Sequence, residues 1–304
     1  MIIREATVND IAEILFVLKR SLGETSSKKT EDVWRYKHID NPFGRSLVLV
    51  AEEKNKIVGV RAFMRWKWQR ENQIYNSYRA VDTATDPSHQ GKGIFKKLTL
   101  KALEIAKEEG GEFIFNTPNE QSKPGYLKMG WQEVGRLNVA LRPVLNIGTS
   151  NNQHCHIIKN NLGLDVIEKY KGCKMDSNKI FTPKNRDYIN WRYKKCRLQN
   201  YWIFEDSNVF LACYPKKRKF ITELRVSEAI FTNSIGRKTL NKKLLEINKK
   251  IGANLISDST GLLRYKLVGN FGPDFTIRNL NNQNLDNTFM LEYWDYSLGD
   301  LELF

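Results

Sequence analysis

The segment that most restricts how this chain can fold is Asp86-Pro87-Ser88-His89-Gln90-Gly91-Lys92-Gly93-Ile94. Residues 74–85 before it read as a strand, and Pro87 cannot continue a ladder. After it, Ile94, Leu98, Ala102 and Ile105 recur at helical spacing until Gly110-Gly111 ends the pattern. A strand that turns through two glycines straight into an amphipathic helix is an anion cradle. Backbone N–H groups can approach an oxyanion without side chains in the way, and the helix dipole favours negative charge. The spacing is not that of a Walker A loop, which ends in Gly-Lys-Ser/Thr, nor of a dinucleotide-binding G-x-G-x-x-G.

The surrounding pattern predicts an α/β layer. A short strand at Ile2-Ile3-Arg4 precedes a helix with Ile11, Ile14, Leu15 and Leu18 on one face, capped by Thr7 with Asp10 at the capping-box position. Residues 46–51 and 57–68 read as strands joined by a turn at 53–56. Residues 112–116 form a strand, 121–128 a short proline-bent helix, and 131–141 one last strand. The predicted order is β-α-β-β-β-α-β-α-β. Residues 143–153, rich in Asn, Gly, Ser and Thr, read as a linker, which divides the chain into domains at 1–145 and 154–304. Trp34-Arg35-Tyr36 recurs as Trp191-Arg192-Tyr193, and Tyr126-Leu127-Lys128-Met129-Gly130 as Tyr265-Lys266-Leu267-Val268-Gly269. Two echoes in the same order suggest a divergent duplication.

Composition narrows the classes. At 304 residues the chain holds about two domains. Its 49 Lys+Arg against 34 Asp+Glu give a net charge of +15. The cations are scattered among abundant Asn instead of forming a stripe, which disfavours nucleic acid as the partner. The densest run, Pro215-Lys216-Lys217-Arg218-Lys219, reads as a solvated turn between two strands. No apolar run is long enough to span a bilayer and the first residues lack a signal-type apolar core, so no membrane is expected and the predicted address is cytoplasmic. Cys155, Cys173, Cys196 and Cys213 include no C-x-x-C pair. The nearest thing to a metal cluster, His154-Cys155-His156, has adjacent side chains that diverge and reads as loop or strand edge. No metal is expected.

Gln90-Gly91-Lys92-Gly93-Ile94 resembles the Gln/Arg-x-x-Gly-x-Gly/Ala loop of the GNAT superfamily of acyl-CoA-dependent N-acyltransferases. Thr85-Asp86-Pro87 looks like the end of that family's fourth strand. Asn119-Glu120-Gln121 and Tyr126-x-x-x-Gly130-Trp131 are similar to its downstream segment at matching spacing. The resemblance covers residues 1–142. Phe95 departs from the usual final Gly/Ala, and Pro124 interrupts the helix before Tyr126. The resemblance implies an α/β fold of two GNAT-like domains, each a mixed central sheet flanked by helices. The second lacks the loop, since Asn233-Ser234-Ile235-Gly236-Arg237 has one glycine, and it is expected to close the acceptor side.

It also implies acetyl-CoA as acyl donor, with main chain near Thr83 and Thr85 along its pantetheine arm and the amides of Gly91, Lys92, Gly93, Ile94 and Phe95 at the pyrophosphate, beside Gln90. The side chain of Phe95 is tolerable if it points away, because the contact comes from its backbone N–H, and pointing inward it counts against the cofactor. Asn119 would contact the cofactor arm, and Tyr126 would protonate the departing thiolate. The base is left open among Asp82, Glu120 and the terminal carboxylate of Phe304. Trp66 and Trp68, on one strand face, wall an acceptor pocket or simply pack the sheet. The expected activity is N-acetylation of a primary amine on a small molecule, an amino sugar being one option, by direct attack, since no cysteine lies near the loop. The rivals are a non-catalytic CoA-binding or structural protein and a basic nucleic-acid binder. The oligomeric state is not legible.

Overall fold

The computed structural model describes residues 1–23, 28–144, 167–168, 170, 178–263, 267, 269, 271–281 and 289–301. The first half follows the predicted order with one helix added. Its elements are β1 (Ile2–Glu5), α1 (Ile11–Leu22), α2 (Glu31–His38), β2 (Leu47–Glu53), β3 (Lys56–Arg70), β4 (Gln73–Thr85), α3 (Ile94–Glu108), β5 (Phe113–Asn116), α4 (Lys123–Lys128) and β6 (Gln132–Arg136). β1 to β4 form an antiparallel run, and α3 then carries the chain over to β5, which pairs with β4 in parallel. The predicted start of α1 holds: the N–H of Thr7 donates to the Asp10 carboxylate at 2.6 Å.

Each helix sits where its apolar stripe meets a matching sheet face. Ile11, Ile14 and Leu18 of α1 bury against Val50, Val60 and Ala84. Ile94, Leu98 and Ala102 of α3 bury against Leu49, Val58 and Phe63 on the opposite face. α3 comes so close that a Cβ at Gly59 would stand 2.7 Å from Ile94 Cγ2, which requires glycine there.

Further on lie β7 (Ala140–Pro143), β8 (Ile180–Phe181), α5 (Arg186–Ile189) with a π-helical turn through Asn190–Lys194, β9 (Trp202–Glu205), β10 (Phe210–Lys217) and β11 (Thr222–Ile230). α6 (Ser234–Ile251), β12 (Leu255–Asp258), β13 (Asp274–Asn279), β14 (Trp294–Asp295) and α7 (Leu298–Leu301) complete the chain as described. β10 and β11 form an antiparallel hairpin, and α6 crosses from β11 to a parallel β12. That repeats the β3-β4-α3-β5 path and supports the duplication. The two Trp-Arg-Tyr echoes also meet: Trp191 donates its indole N–H to Tyr36 O at 2.8 Å, and Tyr36 returns its hydroxyl to Trp191 O at 3.0 Å. In the second echo, residues 265, 266 and 268 lie outside the described residues.

Two strands cross the expected domain boundary. β13, from the second half, inserts into the first sheet between β5 and β6. β7, from the first half, pairs with β12 in the second sheet. The single strand expected over 131–141 therefore divides into β6 and β7, and the chain turns away at Leu137, whose N–H and C=O bond to Pro273 O and Gly272 N. The physical reason lies in β5. Phe113, Ile114, Phe115 and Asn116 are all buried, so its outer edge needs a partner, and β13 supplies the hydrogen bonds together with Phe275 and Ile277. A cut near 145 separates by sequence what the two sheets interleave. Trp66 and Trp68 lie in the aromatic core between the halves, against Phe115, Trp191 and Trp294, so they pack the sheet. None of the helices in the described residues is long and apolar enough to cross a membrane.

Candidate active site

The loop between β4 and α3 is built as the sequence requires. Gly91 and Gly93 both take left-handed backbone, with φ of +78° and +73°, where a Cβ is strained. Open space lies beyond each α-carbon in the direction a side chain would take. Gly93 is the N-cap of α3 and brings no side-chain cap, so the first amides of the helix remain available. Lys92, Lys96 and Lys97 stand exposed beside them. Asp86 fixes the entry by accepting the Ser88 N–H at 3.0 Å. The equivalent helix start in the second half is closed, because Asn233 accepts the Gly236 N–H at 2.9 Å. Ile94 is buried beneath α3 and serves packing. Gln90 is exposed, its side-chain amide 3.5 Å from Thr85 O.

Beyond this loop the parallel strands separate. β4 pairs with β5 only from Ser77–Phe113 to Arg79–Phe115, leaving 80–85 of β4 without a β5 neighbour. Within that free stretch Asp82 forms a bulge at φ +38°, since Arg61 faces Thr83 while Ala62 faces Val81. Thr83 donates its hydroxyl to Val60 O at 3.3 Å. The end of the described chain enters the splay. Arg79, fully buried on β4, donates to Asp300 O at 3.0 Å and to Leu301 O, and the Thr117 hydroxyl lies 3.5 Å from Leu301 O.

α4 carries Tyr126 into the core beneath α3, on the opposite face of the sheet from Leu301. Its hydroxyl accepts a 2.7 Å hydrogen bond from the Arg61 guanidinium, and its ring packs edge-on against Phe95 and Trp131 at 5.7 and 5.1 Å. Phe95 does not point away from the site. Its ring fills the gap between α3 and α4, and a Cβ at Gly125 would lie 3.3 Å from it.

The sequence of residues 2–134 matches the family model described as an acetyltransferase (GNAT) domain. Residues 2–134 are a GNAT domain. Solved structures share the fold over nearly the whole chain. A GCN5-related N-acetyltransferase from Anabaena variabilis is 14% identical with a TM-score of 0.67, over 92% of this chain and 73% of its own. Eis1 from Mycobacterium abscessus is 11% identical with a TM-score of 0.58, over 92% and 74%. A putative acetyltransferase from Pyrococcus horikoshii is 13% identical with a TM-score of 0.55, over 99% and 94%. Among curated proteins no relative is found.

Three carboxylates were candidates for the base of this GNAT domain. Asp82 is held: Lys37 donates to its Oδ2, and His38 Nε2 lies 2.9 Å from the same oxygen. The other ring nitrogen of His38 meets Ser46 Oγ at 2.9 Å. Burial alone would raise the Asp82 pKa, but the charge of Lys37 and the contact with His38 outweigh it and hold the carboxyl well below its usual range. Burial likewise lowers His38, against the pull of Asp82. Asp82 is therefore an ionised anchor that can attract an ammonium but accepts a proton poorly. Glu120 is exposed in the turn before α4. Asn119 accepts the Ser122 N–H at 2.9 Å and so caps that turn. Phe304 lies outside the described residues, as do Cys155, Cys173 and the 154–156 cluster. No group of side chains suited to a metal ion is present among the described residues.

Sequence reasoning missed Arg61, Arg79, Lys37 and His38. The first two had a signal, since each is a cation inside an apolar strand and must find a partner there. We expect Asp82→Asn to leave Lys37 buried without its counter-charge and to cost about 3 kcal/mol at neutral pH. Because the folded pKa of Asp82 is lowered, its contribution is present above the ordinary carboxylate pKa and fades as pH falls through the folded value. Denaturant melts of both proteins should thus converge toward low pH. A constant gap would show that the anchor contributes no charge.

Proposed function

We propose that this chain transfers an acetyl group from acetyl-CoA to a primary amine of a small molecule by direct attack, in the cytoplasm. The observation that carries the reading is the uncapped start of α3, with two left-handed glycines facing open space beside the splay of β4 and β5. Those features fit a pyrophosphate, with the amides after Gly91 and three exposed lysines as its partners. Acetyl-CoA, when bound, supplies a thioester whose carbonyl carbon an amine can attack.

The protein's own part is to orient and to move protons. As the C–N bond forms and the C–S bond breaks, the Tyr126 hydroxyl gives its proton to the departing sulfur. Arg61 donates to the oxygen of that hydroxyl, so the Tyr126 proton is left free to point elsewhere. The ammonium must first lose a proton, for which Asp82 serves as electrostatic guide and solvent or Glu120 as acceptor. Of the described cysteines, Cys213 offers no acyl carrier. Cys213 is buried in the second sheet with its thiol pushed far up by burial, away from the β4–α3 loop. The second half would close the acceptor side, with α7 held against Arg79 and Thr117 beside the splay.

The decisive assay is release of free thiol from acetyl-CoA over a panel of amines including nucleotide-linked amino sugars, aminoglycosides and polyamines. Saturable CoA binding with no thiol release on any amine would favour a binding protein, and salt-sensitive retention of unrelated DNA a nucleic-acid binder. Gly93→Val should weaken CoA binding by about tenfold or more, because a β-branched residue at positive φ both strains the turn and fills the cradle. Calorimetry against CoA, with melting temperature as control, reads it. Unchanged affinity would reject the loop as the pyrophosphate site.

A further inference from the structure

Three arginines are buried in the strands and helices around the site, and one differs from the others. Arg79 donates to the carbonyls of Asp300 and Leu301, and Arg192 donates to Gly299 O at 2.8 Å and to the Tyr201 hydroxyl at 2.8 Å. Both serve the fold. Arg61 donates once, to Tyr126, while its Nε and second terminal nitrogen have no hydrogen-bond partner among the described residues. Its side chain is fully buried and forms no ion pair among them. Three rings surround the guanidinium instead: Phe63, Tyr126 and Phe95, at 4.7, 5.2 and 5.7 Å from its central carbon to the ring centres. Ring faces repay part of the lost hydration of a cation, but a buried charge with two bare nitrogens remains costly.

A site that retains such a cost is prepared for a negative charge that comes and goes. We infer that Arg61 is the positive charge that stabilises the departing thiolate, acting through and beside Tyr126. The inference rests on the acetyl-CoA reading above and adds to it a positioning residue. Tyr126 hands its proton to the sulfur, and as the C–S bond breaks the electron pair stays on sulfur. A guanidinium one hydrogen bond behind the acid lowers the energy of that pair before the proton arrives. It also steadies the tyrosine oxygen after the proton has left. The apolar core that holds Phe63 and Tyr126 draws on every element around it. Leu49 comes from β2, Ala80 from β4, Ile94 and Leu98 from α3, and Trp131 from beyond α4. The other titratable group in this cluster, Tyr78, has its hydroxyl engaged by Glu109 and Arg65.

The test reads the sulfur and not turnover. Bound CoA is titrated by the ultraviolet absorbance of its thiolate in wild type, Arg61→Met and Arg61→Lys, and calorimetry at about pH 8 measures CoA and acetyl-CoA affinity in each. Removing a cation this close should raise the thiol pKa of bound CoA by about 1–2 units in Arg61→Met, with Arg61→Lys close to wild type. CoA should then bind about fivefold or more weakly near pH 8, whereas acetyl-CoA, whose thioester sulfur cannot ionise, stays within about twofold. Without ligand, Arg61→Met should melt no lower than wild type, because a methionine fills the space without a bare charge. Equal thiol pKa values in wild type and Arg61→Met would overturn the inference, and a lower melting temperature beside equal pKa values would make Arg61 a structural residue. Failure of wild type to bind either CoA or acetyl-CoA would instead overturn the acetyl-CoA reading on which it stands.

Discussion

Tyr126→Phe is expected to lower kcat by roughly 10²-fold while CoA affinity changes by no more than about twofold. The ring stays, and with it the edge-on contacts to Phe95 and Trp131 that fix α4 against α3. Only the hydroxyl goes. The departing thiolate would then have to take its proton from solvent, which removes an interaction made in the transition state and leaves ground-state binding alone. The substitution also takes the hydrogen-bond acceptor from Arg61, whose guanidinium is already short of partners, and costs about 1–3 kcal/mol of stability. Kinetics and melting therefore have to be measured on the same preparation, below the shifted transition. A variant with full turnover and a lowered melting temperature would reduce Tyr126 to a structural partner of Arg61.

What the sequence made legible was local. The left-handed glycines at 91 and 93 are spelled out by residue type, because few other residues adopt that backbone, and the strand before and helix after them follow from simple periodicity. The surroundings of Asp82 were not legible for the opposite reason. Asp82 reads as a free acid on a strand until α2, some 45 positions earlier, brings Lys37 and His38 against it. Phe95 could be placed facing in or out by helical spacing alone, and what decides is the small Gly125 on α4 that leaves room for its ring. The exchange of β7 and β13 depends on which sheet edges remain unpaired after folding, a property of two distant segments and of neither alone. Arg61 was readable in part: a cation between Val60 and Ala62 in an apolar run is a demand for a partner, but the run does not say that Tyr126 answers it.

Lys184→Met should be the most damaging change outside the GNAT domain. Lys184 is buried between β8 and α5, and its ammonium lies 2.6 Å from Glu228 of β11 and 3.3 Å from Asp300 of α7. Tyr193 donates to Glu228, and Tyr188 donates to Asp300 at 2.7 Å. Burial pushes the Glu228 carboxyl up, with Lys184 pulling it back, while Lys184 itself is raised because its two carboxylates outweigh burial. Methionine fills the space but leaves two interior carboxylates facing one another, a loss of about 3–5 kcal/mol near neutral pH. The folded variant avoids two charges by keeping one proton on Glu228, whereas the unfolded chain gives that proton up near its ordinary pKa of about 4.3. With one more proton bound in the folded state, stability must fall as pH rises, by about 1.4 kcal/mol per unit, until the raised pKa is passed. Glu228 is raised in the wild type as well, but less with Lys184 beside it, so the gap between the two proteins in urea melts should widen with pH between the wild-type and the variant folded pKa of Glu228. A gap that stays flat would mean the pair finds another cation. The same series bears on function, because Asp300 belongs to the segment that Arg79 holds in the splay of β4 and β5. As the variant loosens α7, proteolysis near residues 298–301 should rise in step with the lost stability, and protection unchanged at every pH would detach the buried triad from the closing of the site.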